Sequence, residues 1–180
     1  MSRGVWVIVV ALVASLATLI YVPFVPHHTD VHMTKHVMNK KLEILNKYDD
    51  VRVIKYLSGE DAINAIRGLH WHPGKIVDIE DAVVAVYNDG SILWLALFSN
   101  STIAKRLEER MINAILKAQG RIPYLKPIPH EGFYIIPDVR GPYHLLWQEG
   151  RCLIWLQLGE EGMKLFKAIY SFYKPVCLGG

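Results

Sequence analysis

The chain has 180 residues, 52% of them apolar, with 20 Lys and Arg against 17 Asp and Glu. A charge balance so close to neutral, with no dense basic run beside an aromatic platform, argues against nucleic acid as a main ligand. Cys152 and Cys177 are the only cysteines, and their spacing matches no zinc pattern.

The first element is "GVWVIVVALVASLATLIYVPFV", residues 4–25, which carries no charged side chain. At about 1.5 Å per residue, a helix of that length crosses a hydrocarbon core of about 30 Å. A cleaved signal peptide has a shorter apolar region, roughly 7 to 15 residues, followed by a small-x-small site. No such site follows Tyr21, so residues 1–26 are expected to be an uncleaved, single-pass membrane anchor. Arg3 lies before the span and Lys35, Lys40 and Lys41 after it, so the positive-inside rule pulls both ways. The body is expected on the extracytoplasmic side. The opening "SRGVW" resembles the amino terminus of archaeal type IV pilins, where a charged-then-Gly processing site precedes a retained hydrophobic helix. That likeness covers only the first few residues and implies a pilin-like envelope component.

Residues 27–50 read as a juxtamembrane helical stalk. Val31, Met38, Leu42 and Leu45, with Val37 and Ile44 beside them, fall at helical spacing from Asp30 to about Tyr48. Thr29 or Asp30 can cap its start. His32 and His36 lie four apart on the polar side, but a third ligand eight residues along the same helix would be about 12 Å away. A tight metal site there needs ligands from elsewhere. The expectation is that these imidazoles solvate the stalk and that no metal or other cofactor is held.

The body, residues 51–180, opens with "VRVIKY", a β-branched strand, and "SGEDAINAIRG", a short helix with Ala62, Ile63 and Ile66 inward. A loop, "LHWHPG", follows. "VYNDGSILWLALF" and "LWQEGRCLIWLQL" then read as two tight hairpins turning at Asp89-Gly90 and Glu149-Gly150. Each is preceded by a short strand ("KIVDI", "GFYIIPD") and an upstream His-x-Gly, and each is followed by an amphipathic helix. The inner stripes are Ile103, Leu107, Met111, Ala114 and Ile115 in the first helix, and Met163, Phe166, Ile169, Tyr170 and Tyr173 in the second. A strand-strand-strand-helix unit is therefore expected twice, at about 75–118 and 132–173, joined by the Pro-rich linker "GRIPYLKPIPHEG" without regular structure.

The first hairpin is apolar on both sides, grouped by a two-residue turn as Val83, Ala85, Tyr87, Ile92 and Trp94 on one face, and Val84, Val86, Leu93, Leu95 and Leu97 on the other. Such a pair is covered on both faces. The second has a dry face of Leu145, Trp147, Cys152, Ile154 and Leu156, and a mixed face of His144, Leu146, Gln148, Arg151, Leu153, Trp155 and Gln157. The fold class expected is α+β, an antiparallel-sheet domain with helices packed on it and the second hairpin nearer the edge.

No G-x-S-x-G elbow, H-E-x-x-H helix, P-loop or dinucleotide fingerprint occurs, and an enzyme is not the expectation. Cys152 on a dry face would have its thiolate suppressed by burial. It either pairs with Cys177 in an oxidising compartment or both stay free thiols. Asp78, Glu80 and Asp81 read as a solvated turn, and Glu108 and Glu109 as surface partners of Lys105, Arg106 and Arg110. His70, His72, His130 and His144 are the residual site candidates for a metal or other ligand, His72 and His130 at equivalent points of the two expected halves, and His32 and His36 are further metal candidates. These define the alternative reading, a metal- or small-ligand-binding module.

The leading expectation is a membrane-anchored, non-catalytic extracytoplasmic domain that binds another envelope protein or serves as an accessory subunit. Its partner-binding candidates are His144, Leu146, Arg151, Leu153 and Trp155, with Gln148 opposite Arg151, Leu146 opposite Leu153 and His144 opposite Trp155. The competing reading is that the third helix or the linker covers this face and makes it core.

Overall fold

A computed structural model describes residues 42–69 and 78–179. The expected anchor, most of the expected stalk, and His32, His36, His70 and His72 lie outside the described residues. Among those described, no helix is long and apolar enough to cross a membrane.

The β-branched and aromatic runs become strands, and the amphipathic runs become helices. In chain order they are β1 (Lys47–Tyr48), β2 (Val51–Ser58), α1 (Gly59–Gly68), β3 (Ile79–Tyr87), β4 (Ile92–Phe98), α2 (Ser101–Ala118), β5 (Ile128–His130), β6 (Phe133–Ile136), β7 (His144–Glu149), β8 (Cys152–Gln157) and α3 (Gly162–Cys177). The strands form one sheet, β1-β2-β3-β4-β8-β7-β6-β5, antiparallel at every pairing. The fold is α+β.

Side chains alternate across a sheet, so the inner strands feed two cores while β1 and β5 stay exposed. On one face Val83, Ala85, Leu93, Leu95, Trp147 and Ile154 pack against Leu165, Ile169 and Tyr173 of α3. On the other, Ala82, Val84, Ala96, Leu146 and Leu153 pack against Ala62, Ile63 and Ile66 of α1 and Ala104 and Ile115 of α2. The expectation of apolar cover on both sides of the first hairpin is met, but the grouping of its residues is corrected. Tyr87 pairs with Ser91 rather than with its neighbour, which leaves a three-residue loop of Asn88, Asp89 and Gly90. One extra loop residue reverses which side of β4 faces each core, so Leu93, Leu95 and Leu97 join Val83, Ala85 and Tyr87.

In the second hairpin the register is two residues out from the expected one. Glu149 pairs with Cys152, Gln148 with Leu153, Leu146 with Trp155 and His144 with Gln157, so the turn residues are Gly150 and Arg151. A slip of two preserves faces, and the dry and mixed sides stand as read. The hairpin is not near the edge, because β8 pairs with β4 at the centre of the sheet.

Other segments depart from expectation for identifiable reasons. Residues 42–48 are not helical: Leu42 enters the core, its N–H bonds Asp81 Oδ2 at 2.7 Å, and Lys47–Tyr48 pairs with β2. The Tyr87 hydroxyl donates to Leu45 O at 3.2 Å, and the Tyr173 hydroxyl accepts from Leu45 N at 3.4 Å. Burial pushes the Tyr173 phenol up to about 12, so it stays protonated. The linker is partly regular, with Ile128–His130 forming edge strand β5; Pro129 is tolerated there because an edge strand has one side without a ladder. In α2 the expected Ile115 is buried and Ile103, Leu107 and Met111 are half-buried against the core; Ala104 and Glu108 are buried beside them, and Ala114 is exposed. In α3 the buried stripe is Leu165, Ile169, Tyr173 and Cys177; Met163 is exposed, and the helix continues through Pro175.

Candidate functional site

Two turns hold the ends of α3. At its start, Asp89 of the β3–β4 loop accepts from Ser91 N at 2.9 Å and Ser91 Oγ at 2.8 Å. The same two residues take the next backbone donors in line: Gly159 N bonds Ser91 Oγ at 2.8 Å, and Glu161 N bonds Asp89 Oδ2 at 3.3 Å. This supplies acceptors to the free N–H groups that lead into a helix. At its end, Arg151 N bonds Cys177 O at 2.8 Å, and Cys152 is joined to Cys177 by a disulfide with Cα atoms 5.2 Å apart. The cysteines are paired, and Cys152 offers no nucleophile.

The expected partner face is occupied from within the chain. α2 and Tyr124 of the linker lie on it. Leu146 is 0% exposed and His144 4%, Leu153 is buried, and Trp155 and Arg151 are half-buried. Leu146 and His144 are therefore not free to meet a partner in this fold. Arg151 reaches Glu80 Oε2 at 3.1 Å, so Glu80 belongs to an ion pair on β3 rather than to a turn. Glu108 is not surface: it is buried, pairs with Lys105, and accepts from Gln148 N at 3.1 Å, serving a strand donor from a helix.

At the centre of this face stands a polar cluster that sequence reading did not assemble. Trp155 Nε1 donates to His144 Nδ1 at 3.0 Å, which places the neutral imidazole's proton on Nε2. That nitrogen faces Asp138 Oδ2 at 3.8 Å, and Tyr124 packs edge-on to the ring with centroids 5.1 Å apart. Burial pushes His144 down to about 4, against the pull of Asp138. Burial alone would raise the Asp138 carboxyl, but Arg140, hydrogen-bonded to it, and His144 hold it below its ordinary value. With one imidazole nitrogen bonded to an indole and the other turned to a carboxylate inside the fold, His144 presents no open base to a substrate. The cluster orders the core. No signal in the sequence joined Asp138 to His144, because the β6–β7 connection brings them together.

Open surface lies on the other side of the sheet. A cleft of about 270 Å³ runs between the β5–β6 turn and α3, lined by Glu131, Phe133, Trp147, Phe166, Lys167 and Tyr170 among others. Phe166 packs on Phe133 at 5.3 Å and edge-on to Trp147 at 5.2 Å between ring centroids. His130 is exposed and stacks on Phe133 at 4.6 Å, so this histidine is a ring support at the cleft's rim. Trp147 is 1% exposed and its indole nitrogen has no hydrogen-bond partner. A buried donor left this way costs about 1–3 kcal/mol. The aromatic residues of "GFYII" and "LFKAIY" were the available signal, hidden by reading each only as a strand or helix stripe.

Among the described residues no three His, Cys, Asp or Glu side chains converge as a metal site. No protein-family model, curated protein or solved structure matches the chain.

Proposed function

We propose that the chain is a single-pass, membrane-anchored protein whose α+β domain stands outside the cytoplasm as a binding domain or accessory subunit of an envelope assembly, and carries out no reaction itself. The observation that carries this reading is the buried Cys152–Cys177 disulfide. Such bonds persist in oxidising compartments and are rare in the cytosol. The uncharged run over residues 4–25 supplies the anchor. The engagement of both His144 nitrogens supports a non-catalytic role.

We also read the halves at about 75–118 and 132–173 as copies of one unit. The strand order supports it in part, since β4 and β3 lie outward from the centre as β8 and β7 do on the other side; the place matching β6 is taken by β2, which precedes the first half, and most of "KIVDI" lies outside the described residues. The following helices differ, because α2 and α3 pack on opposite faces.

The test is a carbonate wash of membranes carrying the full chain, with non-reducing electrophoresis of the pellet. Anchored, disulfide-bonded protein stays in the pellet and shifts mobility on reduction. Recovery in the wash, or two thiols that alkylate without reductant, overturns the proposal.

A further inference from the structure

We propose that the cleft between the β5–β6 turn and α3 binds a small zwitterion with an apolar, ring-sized side group, of which an aromatic amino acid is the simplest example. The cleft is of amino-acid size, about 270 Å³. Its interior offers the faces and edges of Phe133, Trp147, Phe166 and Tyr170, which favour an apolar or aromatic occupant. Trp147 lies at the floor of this lining, 1% exposed, where its ring reports on the occupant. The polar groups fix the rest of the ligand. Glu131 and Lys167 both line the cleft, and among the described residues neither has an ion-pair partner. A plain carboxylate would meet Lys167 but be repelled by Glu131. A plain amine would meet Glu131 and be repelled by Lys167. A zwitterion satisfies both charges. The assignment does not depend on where the domain is anchored.

The experiment uses full-length protein with 15N-labelled tryptophan in detergent micelles, with the Trp147 indole resonance assigned by Trp147→Phe. L-Phenylalanine, 3-phenylpropionate and phenethylamine are the probes. Phenylalanine is expected to shift the Trp147 resonance saturably. Each single-charge analogue should bind roughly fivefold more weakly, the scale of one exposed ion pair. Glu131→Gln should remove the preference over phenylpropionate, and Lys167→Gln the preference over phenethylamine. Both substitutions are at exposed positions and leave the core intact. The proposal is overturned if phenylalanine leaves the Trp147 resonance in place, or if the three probes bind alike.

Discussion

Gly150 packs directly against the carbonyl of Cys177, so closely that a Cβ at this position would collide with that backbone oxygen. Its φ is +51°, and the neighbouring Arg151 N–H bonds the same carbonyl at 2.8 Å. Gly90, in the other hairpin, has φ +84° but open space around it. Gly90→Ala should therefore cost only the left-handed strain, about 1–2 kcal/mol. Gly150→Ala should cost about 3 kcal/mol or more, since the end of α3 must also move. Urea melts of the two variants should differ clearly; equal losses would mean that the turn does not seat the helix.

The disulfide closes a loop of 25 residues in sequence separation, and both cysteines are buried. Reduction, or Cys177→Ser, should lower unfolding free energy by about 3 kcal/mol. The measurement is the urea midpoint with and without reductant, which should coincide in Cys177→Ser and separate in the wild type.

Stability should fall on acidification through one identified histidine. His144 sits at about 4 in the fold against an ordinary 6.5, so between these values the unfolded chain binds a proton that the folded chain does not. Stability then rises with pH across that window, and is lost going down from about 6.5 to 4 by about 3 kcal/mol. Asp138, held below its ordinary value, adds a loss at still lower pH as it protonates. His144→Asn keeps an acceptor for the Trp155 N–H and should flatten the profile between pH 7 and 4.5. An unchanged slope would assign the acid sensitivity elsewhere.

Trp155 donates to His144, tilts against Tyr124 with centroids 5.6 Å apart, and packs half-buried against the core under α2. Trp155→Ala should cost about 3 kcal/mol of stability. A melting temperature left near that of the wild type would return this face to the surface and to partner binding.

Much of the domain was legible because local rules and tertiary packing agree. "SGEDAINAIRG" forms a helix with the three inward residues expected, and both hairpins lie where the Gly-containing turns put them. What failed depended on single residues or distant partners. Whether the first loop holds two or three residues cannot be read from Asn88-Asp89-Gly90 alone, yet it decides which face of β4 is buried against α3. Glu108 looked like surface until Gln148 arrived from β7 to need an acceptor, and Leu42 looked like stalk until Asp81 took its N–H. The cleft was illegible for the same reason: Phe133 and Phe166 meet only once the sheet and α3 are packed.

Protease treatment of sealed cells producing the full chain bears most directly on the proposed anchored external domain. Added protease should remove the domain from intact cells, at a rate unchanged by lysis, while a cytoplasmic marker survives until the cells are opened. A domain that resists digestion in intact cells and is cut only after lysis contradicts the external placement.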